Sequence, residues 1–133
     1  MERLTLSPDK ILPGATAKTA KFHRSYVEEV KTAVETNEWV IVGMAQNPVV
    51  KRARKLLDEA GFRYTYIGHG SYLSKWRERL AIKLWAGFPT FPMVFRNGTL
   101  IGGASELAPY LATLGDKVEQ KKSKASDQSG VTA

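Results

Sequence analysis

The chain contains no cysteine. Disulfides, thiolate zinc sites, iron–sulfur ligation and a cysteine nucleophile are therefore excluded for it. Histidine is nearly as scarce. His23 and His69 stand far apart with no cluster of carboxylates near either, so no metal site is expected. Long apolar runs are also missing. The longest are of strand length, so neither a transmembrane span nor a membrane partner is expected. The opening stretch MERLTLSPDKILPGATAKTAKF lacks the apolar centre of a signal peptide, which leaves the cytoplasm as the default location.

What is present fits an ordinary globular domain. The 133 residues suffice for one core and are too few for two. The formal net charge of +7 gives a diffuse attraction to polyanions. A dedicated nucleic-acid reader needs basic residues interleaved with exposed aromatics. Here Lys51, Arg52, Arg54 and Lys55 fall on the polar side of one helical pattern, and Lys75, Arg77, Arg79 and Lys83 on that of another. These read as solvated faces, and no specific nucleic acid is indicated.

Along the chain, residues 1–20 carry Pro8, Pro13 and Gly14 and predict an N-terminal extension without regular structure. A domain follows over residues 21–114. From Phe22, apolar residues at three- and four-residue spacing (Tyr26, Val30, Ala33, Val34) predict a helix. Trp39–Val42 reads as a strand buried on both faces. Asn47 is a good N-cap and Pro48 a good first residue for a helix that runs to about Ala60 and is ended by Gly61, with Val49, Val50, Ala53, Leu56, Leu57 and Ala60 inward. A strand Arg63–Ile67, a GHG loop and a helix capped by Ser74 come next. That helix runs through Trp76, Leu80 and Leu84, with Trp76 and Trp85 read as core packing or as an interface with Phe88-Pro89. Strands Met93–Phe95 and Thr99–Ile101 flank Asn97-Gly98, a strong hairpin signal. Gly102-Gly103 and a capping Ser105 open a last helix through Leu107, Leu111 and Leu114. Residues 115–133 form a polar tail that is expected to be disordered. The order, helix-β-α-β-α-β-β-α, predicts a mixed four-stranded sheet flanked by helices, the thioredoxin-like α/β arrangement with an extra N-terminal helix.

Two stretches resemble the glutaredoxin family. KRARKLL follows the first strand-to-helix corner, where that family continues after Cys-Pro-Tyr-Cys, and FPTFPMVFRNGTLIGGASEL is similar to its Thr-Val-Pro, hairpin and Gly-Gly region. The resemblance covers roughly 75 residues, from Trp39 to about Leu114, and implies the glutaredoxin fold. It puts Asn47 and Val50 at the two cysteine positions and Met44 where many members carry a lysine. No catalytic residue remains, and neither thiol–disulfide exchange nor an iron–sulfur cluster is expected. It also implies glutathione-binding candidates: Thr90, Phe91 and Pro92 at a cis-proline turn, and Gly102, Gly103 and Ser105 at a helix N-terminus. Glu106 is available for the amine of the tripeptide, and Arg77, Arg79 or Lys83 for its glycyl carboxylate. The function that follows is a binding or regulatory module, pseudo-oxidoreductase in character, whose groove takes glutathione, a peptide or a partner protein. Two alternatives stand beside it: a transferase-like enzyme in which glutathione supplies the thiol, and a basic accessory module using Lys121, Lys122 and Lys124.

Overall fold

The computed structural model describes residues 1–45, 47–68 and 75–125. Its sheet is mixed and four-stranded, in the order β2-β1-β3-β4, where β1 is Trp39–Gly43, β2 Thr65–Gly68, β3 Met93–Arg96 and β4 Thr99–Gly102. The parallel pair β1–β2 is joined through helix α3 (Pro48–Ala60), and β3 runs antiparallel to both β1 and β4. This is the thioredoxin-like α/β fold.

The run Trp39-Val40-Ile41-Val42 explains why β1 is central. Alternate side chains leave opposite faces of a strand, so a continuous apolar run needs cover on both sides. Val40 and Val42 join Val30, Val34, Ile82, Met93 and Phe95 on one face, under α2 (Arg24–Thr36) and α4 (Trp76–Ala86). Trp39 and Ile41 join Ala53, Leu57, Val94 and Leu107 on the other, under α3 and α5 (Ala104–Ala125). The indole N–H of Trp39 finds no acceptor among the described residues. Its ring instead lies under the Arg96 guanidinium, 5.3 Å from the centroid. Arg96 donates to the Tyr110 hydroxyl at 3.1 Å and to Glu38 at 3.3 Å. Burial works against the charge of Arg96, but these two partners outweigh it and hold the guanidinium above its ordinary pKa.

Several sequence expectations need correction. Residues 1–20 are not free of regular structure: a 3-10 turn spans Pro8–Lys10 and α1 spans Pro13–Lys21. Pro13 supplies the fixed φ of a first helical residue, and the alanines and lysines after it are strong helix formers. The next helix begins at Arg24 rather than Phe22, after His23 in a left-handed conformation (φ 45°). The last helix passes Leu114 and Gly115 and reaches Ala125, carried by the helix propensity of its Lys, Glu and Gln residues. Residues 126–133 of the expected tail lie outside the described residues, as do the GHG glycine Gly70, His69 and the Ser74 cap. On α4 the large apolar residues are not core. Trp76, Leu80, Leu84 and Trp85 are exposed, while Arg79, Ala81 and Ile82 are buried.

Candidate functional site

Register brings the expected site together at one edge of the sheet. Val42 pairs with Met93, which sets Pro92 beside Gly43 at the end of β1, and Val94 pairs with Gly102 on the next strand. The backbone of Gly103 lies against the same turn: a Cβ there would come 3.4 Å from the Pro92 carbonyl oxygen. The corner before α3, the Phe91-Pro92 turn and the Gly102-Gly103 segment thus share one rim, although about 55 residues separate the first from the last.

At the corner, Asn47 is the N-cap of α3. Its Oδ1 accepts the backbone N–H of Val49 at 2.8 Å and of Val50 at 3.0 Å. The side chain is only 5% exposed. A helix N-terminus has orphan N–H groups and a partial positive charge, the pair of features that would lower a thiol's pKa at this place. Here one neutral amide oxygen takes up two of those N–H groups. Val50, one turn along, is buried against β1. A Cβ added to Gly43 would meet its Cγ2 at 2.8 Å, so the absence of a side chain at 43 is what lets Val50 seat. Val49, read from the sequence as inward, is exposed instead, because the helix starts at Pro48 and its first turn projects past the end of the sheet. Met44 is half-buried, and no titratable group stands at 44, 47 or 50.

On the opposite wall the Phe91-Pro92 peptide is cis. Thr90 is exposed, while Phe91 and Pro92 are buried. Of the three basic candidates on α4, Lys83 lies by this turn, its Nζ 5.7 Å from the Phe91 ring centroid. Arg77 stacks on Trp76 instead, and Arg79 is buried. Gly102 has φ 133°, a left-handed value suited to glycine, and Glu106 packs directly over it. Ser105 does not cap α5. The helix starts at Ala104, the Gly103 carbonyl accepts the Leu107 N–H at 3.0 Å, and the Ser105 hydroxyl donates to Glu106 at 2.5 Å. The cap moves back by two residues because Gly103 turns the chain without a side chain to accommodate.

The rim therefore offers an acidic group at Glu106, a basic one at Lys83, and the cis Phe91-Pro92 turn. The sequence carried no signal for the Gly43–Val50 contact, which depends on a strand end meeting a helix seven residues later.

No protein-family model matches the chain. A glutaredoxin-like protein of Dictyostelium discoideum is 46% identical over 85 residues, which cover 64% of this chain and 69% of that protein. Among solved structures, a mutated buckwheat glutaredoxin matches with a TM-score of 0.60 at 24% identity, covering 71% of this chain and 83% of that one. Oxidized glutaredoxin 2 from Chlamydomonas reinhardtii matches with a TM-score of 0.60 at 20% identity, covering 78% and 96%. A buckwheat glutaredoxin–glutathione complex matches with a TM-score of 0.57 at 24% identity, covering 71% and 94%. At these identities the solved structures speak for the shared fold.

Proposed function

Because the chain belongs to the glutaredoxin family and has no cysteine, we propose that it acts by binding rather than by redox turnover, its groove accepting glutathione or a peptide of similar shape. The observation that carries this reading is the meeting of a cis Phe91-Pro92 turn with Gly102-Gly103 beside a capped α3 whose first turn holds no thiol. Thiol–disulfide exchange needs a thiolate that attacks one sulfur and expels another, and Asn47 and Val50 supply neither. On this reading the rim meets an extended tripeptide at three points. The backbone of Phe91 pairs with it as a short strand, Glu106 faces an amine and Lys83 a carboxylate. The same matching of charges suits a short extended segment of a partner protein.

The transferase-like alternative needs N–H donors for a glutathione thiolate. The amides of Val49 and Val50 already donate to Asn47, which weighs against it. Titrating glutathione while following amide chemical shifts tests the binding reading, with Phe91, Gly103 and Ser105 expected to move. The purified protein should not reduce a mixed disulfide with glutathione. Turnover that survives removal of contaminating glutaredoxin overturns the reading, and so does a titration with glutathione and extended peptides that moves none of the three residues. A depressed thiol pKa of bound glutathione, read from thiolate absorbance, establishes the transferase-like alternative instead.

A further inference from the structure

Helix α4 turns an apolar face to solvent. At about 100° per residue, Arg79, Ala81 and Ile82 point into the fold. The opposite side is where a solvated helix carries its charges. Here it carries Trp76, Leu80 and Leu84, aligned at four-residue spacing and 56%, 38% and 57% exposed. Trp85 lies off this stripe, its ring 5.9 Å from that of the buried Phe95. The charges flanking this stripe are cationic. Arg77 lies over the Trp76 ring at 5.2 Å, and Lys83 borders its other side. Lys75, just before the helix, turns back to donate to the Tyr26 hydroxyl at 2.6 Å. The one carboxylate of the helix, Glu78, turns inward toward His23, 3.8 Å away. At the far end Arg3 reaches Gly87, where an added Cβ would come 3.0 Å from its Nη2. That contact brings the N-terminal segment alongside α4, with Leu4 and Leu6 exposed.

The neighbouring groove of about 340 Å³ between α1–α2 and α4, walled by Phe22, Val27, Leu84 and Trp85, names no occupant. Its charged rim is already paired, Arg24 with Glu28 and Lys31 with Glu35. The outward face of α4 differs, because among the described residues Arg77 and Lys83 form no ion pair.

We propose that this face of α4, with the N-terminal segment beside it, docks the protein on an anionic lipid surface. Trp76, Leu80 and Leu84 enter the boundary between headgroups and acyl chains, and Arg77 and Arg3 meet lipid phosphates. Tryptophan favours that boundary, and an apolar stripe ringed by cations is the pattern of a helix lying in the membrane plane. The stripe is convex, which suits a flat and yielding surface better than a preformed protein pocket. Such docking needs no spanning segment, and among the described residues no helix is long and apolar enough to cross a membrane.

The test uses the full chain with vesicles of phosphatidylcholine alone and of phosphatidylcholine mixed with phosphatidylglycerol. Co-sedimentation and a blue shift of tryptophan emission are expected with the anionic vesicles only. Affinity should fall roughly tenfold or more when salt is raised from about 0.1 to about 0.5 M, because the phosphate contacts are screened. Leu84→Glu and Trp76→Ser change exposed side chains and leave the circular dichroism spectrum intact, and each should weaken binding about tenfold. Arg52→Gln, on α3, makes the same charge change as Leu84→Glu and should leave binding within about twofold, since diffuse charge is then the only loss. Absence of binding overturns the proposal. Equal weakening by Arg52→Gln and Leu84→Glu does so as well, because the attraction is then diffuse. A solution dimer that Leu84→Glu dissociates, without vesicle binding, assigns the stripe to a second copy and overturns it too.

Discussion

Replacing Asn47 by alanine isolates what the side chain at the start of α3 does. In the structure its Oδ1 is the acceptor for the N–H groups of Val49 and Val50. Loss of a side-chain N-cap costs about 1 kcal/mol on average and up to about 2. The upper end applies here, because Val50 is buried and water cannot reach its N–H to replace the lost acceptor; an orphaned buried donor costs about 1–3 kcal/mol. Asn47→Ala is therefore expected to destabilise by about 2 kcal/mol. For a domain of this size that lowers the urea midpoint by about 1–2 M at unchanged slope. The melting temperature should fall by about 10 °C. Asn47→Ser keeps an acceptor at the cap and should recover most of the loss, whereas Asn47→Ala has nothing to offer the two amides. Equilibrium urea unfolding of the three proteins is the assay. If Asn47→Ala lies within about 0.5 kcal/mol of the parent, or if Asn47→Ser falls as far as Asn47→Ala, the cap is not what the side chain supplies and the reasoning fails.

Two other perturbations follow from the same corner. Asn47→Cys places a thiol where those two N–H groups converge, so its pKa should drop below the usual thiol value of about 8.5, by about one unit or more, as read from the pH dependence of alkylation; an unshifted value refutes the proposed convergence. Gly43→Ala drives a methyl into Val50 and should cost about 1–3 kcal/mol. Adding Val50→Ala should make that cost smaller, so a double-mutant cycle in urea with zero coupling would contradict the contact.

The fold was legible where two levels of sequence signal agreed. Trp39–Val42 announced a strand covered on both faces, Asn47-Pro48 announced a capped helix, and Asn97-Gly98 announced a hairpin; all three stand in the structure. The Phe91-Pro92 turn and the glycine pair were legible as residue types with restricted or unusual backbone freedom. What escaped notice depended on tertiary geometry. Periodicity says that Trp76, Leu80 and Leu84 share a face, but not which face meets the sheet. Small Ala81 and a single Ile82 suffice to pack α4 inward, which leaves the larger residues outside. The helix over Pro13–Lys21 was hidden by reading its proline and glycine as breakers, although proline in the first turn starts helices as readily as it ends them. Ser105 has the residue type of a cap and lost that position to Gly103, a choice made by the close approach of the chain to Pro92.

The pairing of Gly43 with Val50 makes the introduction of a thiol at 47 and at 50 two different problems. A cysteine at 47 gives up the amide oxygen that accepts the Val49 and Val50 N–H groups and puts a weaker acceptor in its place. A cysteine at 50 removes a methyl from a seat shaped by a bare strand end, leaving a void that only a second change at 43 would fill. The two positions therefore resist a sulfur for different reasons: at 47 the cap of α3 is given up, and at 50 the packing against the strand end.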